Sequence, residues 1–79
     1  MNSQQPRGSG RTLGQRIHIR RIELNLSQLE LADMAGISPS NLCKIERGQH
    51  GPALATLMKL APALQVDIAE LLREESRIA

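Results

Sequence analysis

Two serine-capped helix starts, separated by a glycine stop, constrain this chain more than any other feature. Ser27-Gln28-Leu29-Glu30 makes a capping box, in which the serine hydroxyl accepts from the glutamate N–H and the glutamate carboxylate accepts from the serine N–H. The helix it opens meets Gly36 only nine residues after Ser27, and glycine adopts the left-handed conformation that closes a helix. Ser38-Pro39 then starts another helix, with serine as the cap and proline at the first helical position, where its missing N–H costs nothing. Gly48 ends that one. The chain must therefore turn sharply between two short helices, with Ile37 available to plug the corner. A helix this short buries little surface alone, so the outer face of the second one carries the interest.

The surrounding helices follow from the same kinds of signal. Thr12 caps a first helix running to about Leu24, with Leu13, Ile17 and Leu24 on one face, and Asn25 suits the left-handed closing position. Leu31, Ala32 and Ala35 form the inward stripe of the second helix, and Leu42 and Ile45 that of the third. After a turn through Gly51-Pro52, Leu54, Leu57, Leu60, Ala61 and Leu64 recur at helical spacing and predict a fourth. Pro62 falls inside it, removes the bond to the Met58 carbonyl and predicts a kink or an early end. Asp67 to Glu70 is a second capping box, opening a short fifth helix with Ile68, Leu71 and Leu72. No stretch alternates with a period of two. The expected fold is all-α, a five-helix bundle.

Residues 1–11 (MNSQQPRGSGR) are polar, rich in Gly, Ser and Pro, and without periodicity, which predicts a disordered arm before a single domain over 12–73 and a short tail over 74–79. At 79 residues the chain has room for one small domain. One cysteine excludes an intramolecular disulfide framework, no apolar run reaches membrane-span length, and no signal-peptide pattern opens the chain, so the expected setting is cytoplasmic, without a membrane. The apolar 41% is wholly aliphatic, with no aromatic residue. That excludes a stacking platform for single-stranded nucleic acid, whose bases are held on aromatic rings. The formal charge of +2 is unevenly spread: residues 1–25 carry five Arg and one Glu, whereas 26–51 and 52–79 each sum to −1.

Catalysis finds no footing. There is no glycine-rich phosphate loop, no carboxylate pair at a defined spacing, and no base placed to activate a serine or cysteine. Cys43, His18 and His50 fit no zinc spacing, so neither a metal nor another cofactor is expected.

The third helix is more telling. With Leu42 set inward, Ser40 lies at about 160°, Lys44 at about 200° and Arg47 at about 140°, on the opposite side. Pro39 and Cys43 flank that face on one side and Asn41 on the other. A protruding helix with small polar residues in front and cations behind suits the DNA major groove, about 12 Å wide. Small residues permit close approach, and Lys44 can reach guanine acceptors or a phosphate. Arg47, and Gln28 at the start of the second helix, are placed for the sugar-phosphate backbone, where helix N–H groups and the dipole favour phosphate.

Residues 13–72 resemble the Cro/cI-type helix-turn-helix family, the lambda repressor-like proteins of phages and bacteria. The matching segments are LGQRI, RIELNLSQLELADMAGIS, NLCKIERG and TLMKLAPALQVDIAELL, in collinear order over about three quarters of the chain. The resemblance implies a five-helix bundle with its helix-turn-helix over about 27–47, binding a palindromic operator as a homodimer. By position it implies base contacts from Pro39, Ser40 and Lys44, with Asn41 and Cys43 beside them as weaker candidates. It implies backbone contacts from Gln28, Arg47 and Ser38. Arg21 and Glu46 match a family pair that forms an internal salt bridge tying helix one to helix three. Pro39 departs from the pattern in offering only an apolar touch, and Arg20 stands where many members carry a core leucine.

The resulting expectation is a sequence-specific, double-stranded DNA-binding transcriptional regulator. It represses as a homodimer formed through helix five and the preceding loop. Two alternatives stay open: an antitoxin or restriction-modification controller with an additional, unknown protein partner, and a helical interaction module without DNA binding. Apolar Leu29 and Ile19, at commonly polar positions, favour the last; the Lys44/Arg47 face argues against it. Arg7 and Arg11 in the arm are further candidates, to follow a minor groove as basic arms do, with a floppy tail as the alternative.

Overall fold

The computed structural model describes residues 12–72; the expected arm and tail, with Arg7 and Arg11, lie outside them. Five helices follow in order: α1 (Leu13–Glu23), α2 (Gln28–Ala35), α3 (Pro39–Glu46), α4 (Leu54–Ala63) and α5 (Ile68–Leu72). The described residues contain no strand.

Local chemistry explains most helix ends. Thr12 caps α1 through a reciprocal box with Gln15, Ser27 caps α2 with Glu30, and the Ser38 hydroxyl accepts from the Asn41 N–H at 3.0 Å ahead of Pro39. Helices α1 to α4 all close the same way. Residues Asn25, Gly36, Gly48 and Gln65 have φ of 60°, 71°, 77° and 60°. The following N–H reaches back five residues, as from Ile37 to the Ala32 carbonyl at 3.0 Å and from Val66 to that of Ala61 at 3.0 Å. Leu26, Ile37 and Val66, each just past such a turn, pack against the core.

Helix α1 packs on α3 and α5, α2 on α3 and α4, and α4 on α5. Between them lie Ile17, Leu31, Ala32, Ala35, Leu42, Ile45, Leu57, Leu60, Ala61, Leu64 and Leu71. Each fully buried Leu or Ile is worth about 1.5–3 kcal/mol relative to exposure. Gly14 fixes how closely α1 crosses the last turn of α3. A Cβ there would sit 2.3 Å from the Ile45 carbonyl oxygen and 2.9 Å from that of Glu46.

Two expectations need correction. Leu54 is 61% exposed, not inward. It sits about 70° round the helix from the centre of the buried face, in a first turn with nothing packed over it. The Asp67–Glu70 box forms only in half. The Glu70 carboxylate accepts from the Asp67 N–H at 3.4 Å, but the Glu70 N–H donates to the Asp67 main-chain carbonyl at 2.9 Å. The third helix runs to Glu46 with Arg47 as its C-cap, and the left-handed Gly48 turns the chain out of it, as expected. Pro62 is accommodated in the last turn of α4, which stops at Ala63. Arg20, in place of a core leucine, is half-buried and donates from Nε to the Leu64 carbonyl at 2.9 Å, tying α1 to the end of α4.

Candidate nucleic-acid interface

The site is organised from a buried carboxylate. Glu46, in the last turn of α3, accepts from Arg21 Nε at 2.7 Å and Nη2 at 3.1 Å, a two-point pairing in which both side chains are almost wholly buried. The third guanidinium nitrogen, Nη1, donates to the Leu26 carbonyl at 2.7 Å. Gln28 Nε2 donates to Glu46 Oε1 at 3.0 Å, and His18 Nδ1 lies 2.8 Å from the same oxygen. Burial pushes the Glu46 carboxyl upward. Donors from Arg21, His18 and Gln28, with the Arg21 charge, outweigh it and hold the carboxyl below its ordinary value. A buried pair contributes to stability only when its remaining lone pairs and protons are matched, and here they are. The network clamps α1, the start of α2 and the end of α3 into one body, which sets the angle at which α3 stands out.

The outer edge of α3 is left open. Pro39, Ser40 and Lys44 are exposed, and so is Arg47 at the C-cap. Asn41 and Cys43 are half-buried on the flanks, and Ser38 is exposed with its hydroxyl engaged in capping. Ser40 and Lys44, four residues apart, share one edge with no helix packed across it. Gln28, half-buried, is the first residue of α2. A cleft beside it is lined by Gln15, His18, Gln28, Cys43, Glu46 and Arg47. The structure thus brings Gln28, Arg47 and Cys43 together around one cleft, with Ser40 and Lys44 on the protruding edge.

Sequence reasoning set aside His18 as a failed zinc ligand, yet it is part of this cleft. The signal was available: His18 precedes Arg21 by three residues and so shares its helix face. Leu29 is 66% exposed on α2, whereas Ile19 is half-buried in a groove between α1 and α5 beside Arg20 and Val66. Among the described residues no three His, Cys, Asp or Glu side chains come together as a metal site, and no helix is long and apolar enough to cross a membrane.

Comparison with known proteins gives the chain a family. The helix-turn-helix family model matches residues 17–71. The immunity repressor protein of Bacillus phage phi105 is 42% identical over 67 residues, covering 85% of this chain and 46% of that protein. The chain therefore spans about half the length of that repressor. Among solved structures, the biofilm master regulator SinR in complex with DNA is 38% identical with a TM-score of 0.75, covering 78% of this chain and 100% of that one. The restriction-modification controller protein C.AhdI from Aeromonas hydrophila is 39% identical with a TM-score of 0.73, covering 75% of this chain and 89% of that one. The chain belongs to the helix-turn-helix family, in its Cro/cI-type, lambda repressor-like branch.

Proposed function

We propose that this chain is the DNA-reading part of a transcriptional repressor. It inserts the open edge of α3 into the major groove of double-stranded DNA. The single observation that carries this reading is the exposed Ser40–Lys44 edge on a helix held rigidly from behind by the Glu46 network. Pro39, Ser40 and Lys44 face base edges, with Asn41 beside them. Gln28 at the α2 N-terminus, Arg47 and Ser38 hold the sugar-phosphate backbone. Repression is steric: an occupied operator excludes polymerase, and no bond is made or broken. One module spans only a few base pairs, so two copies on a palindrome, about 34 Å apart, supply the affinity that one lacks. The outer edge of α5, where Leu72 is 49% exposed, and the loop before it supply the two-fold contact.

Selection of bound sequences from a random duplex pool, followed by footprinting, tests this. The expected outcome is a palindromic consensus protected over two half-sites. Recovery of no sequence at low salt overturns the reading. A second reading is a restriction-modification controller with a further protein partner; it draws on the likeness to C.AhdI. Co-purification of such a partner with the full chain distinguishes it from a stand-alone repressor.

A further inference from the structure

We infer that His18 is an additional contact to the DNA backbone, one that takes up a proton when the duplex binds. The inference rests on the DNA-binding reading above. The His18 side chain is 50% exposed, yet its ring is not free to turn, because Nδ1 is held 2.8 Å from the buried Glu46 Oε1. That carboxylate stays ionised, pinned by Arg21, so Nδ1 carries a proton and donates it. Arg21 Nη2, 3.2 Å from the same ring nitrogen, is itself a donor and directs its hydrogen to Glu46. In the neutral ring the remaining nitrogen, Nε2, is then a bare lone pair directed away from Glu46. A phosphate oxygen meeting that lone pair is repelled, whereas the protonated ring offers a charged N–H.

The cleft brings a phosphate to that nitrogen. Gln28, bound to the same Oε1 as His18, and Arg47 line the cleft with it, at the start of α2 where a backbone phosphate is favoured. The charged and titratable groups facing the ring are Glu46, Cys43 and Arg47 from α3 and its cap, and Arg21 from α1; α2 contributes the neutral Gln28. Arg21 answers the charge of Glu46, and an arriving phosphate answers that of Arg47. The phosphate adds negative charge beside a ring already bonded to the Glu46 carboxylate, and that raises the ring's proton affinity in the complex. The proton comes from the buffer. By linkage, a ring that holds its proton more tightly in the complex makes the protonated chain bind DNA more tightly by the same factor.

The experiment is fluorescence anisotropy of the selected duplex with the full chain at fixed salt, from about pH 8 to about pH 6, the range over which an imidazole titrates. Wild type is expected to gain affinity on the order of tenfold as pH falls. His50→Gln keeps this gain. His18→Gln loses it and stays at the high-pH affinity, and His18→Lys, a permanent cation, binds tightly at both ends. A merely structural role for His18 weakens His18→Lys at every pH. An unchanged pH response in His18→Gln overturns the inference, as does its loss in His50→Gln instead. Should a His18 variant fail to fold, the His18 ring resonances of wild type decide: a titration midpoint that does not rise on adding duplex overturns it. If no duplex binds at any pH, the DNA-binding reading itself fails, and the two failures are told apart.

Discussion

Helices α2 and α3 are held by a different device from α4 and α5. The first pair has a serine hydroxyl at each start and a left-handed glycine after each end. Behind it, Glu46 gathers Arg21, Gln28 and His18. The second pair lacks most of this. Ala53 caps α4 without a side-chain hydrogen bond, Pro62 sits in its last turn, Gln65 rather than glycine takes the left-handed turn, and the box before α5 is half made. What holds α4 and α5 is burial, through Leu57, Leu60, Ala61, Leu64 and Leu71. The difference follows from the task of each half. A helix that must protrude loses burial on its outer side, so hydrogen bonds and caps have to fix its direction. A helix that closes the core can rely on non-directional contact.

That contrast can be broken most severely at the network. Arg21→Met leaves the Glu46 carboxylate buried without its partner, and the expected loss is about 3–5 kcal/mol in chemical denaturation. A loss no greater than that of an exposed arginine refutes the clamp. Gly14→Ala comes next. The new methyl meets backbone oxygen that no rotamer change can move aside, so about 3 kcal/mol is expected, with α3 displaced. In binding rather than stability, Lys44→Ala should cost about 1–3 kcal/mol and relax preference at one base pair, while Gln28→Ala weakens all duplexes nearly equally. Equal affinity for every operator variant before and after Lys44→Ala counts against that assignment.

On the other side, the α4–α5 half should be improvable. Ala53→Ser supplies the missing cap and is expected to add about 1 kcal/mol. Gln65→Gly relieves the left-handed turn, at some cost from the unfolded chain, for a net gain of about 0.5–1 kcal/mol. Thermal melts check both, and no gain from either means that burial already sets these ends. Acid gives the gentlest test. Glu46 holds its proton less tightly folded than unfolded, so its contribution is complete above the ordinary value of 4.5. It is lost as pH falls below that through the lowered folded value. Glu46→Gln should flatten that part of the stability profile.

The caps at Thr12, Ser27 and Ser38 and the left-handed closures at Asn25, Gly36 and Gly48 were legible because each is a bond between residues at most five apart. The inward stripes were legible for the same reason: helical period relates near neighbours. Periodicity failed at Leu54, which matches the repeat but has nothing above it. It was silent on Gly14, whose need for a missing side chain arises from a carbonyl 31 positions further along, at Ile45.

The amino-acid order by itself determined the five helices, the sharp corner at Gly36 and the outward position of Ser40 and Lys44, since local hydrogen bonds and a fixed turn angle settle all three. Only the tertiary structure decided that His18 and Gln28 share one oxygen of Glu46, and that Arg20 reaches across 44 positions to the end of α4. Those contacts depend on how the helices cross, and the crossing is set by the volume and shape of the buried side chains acting together, which no short stretch of sequence contains.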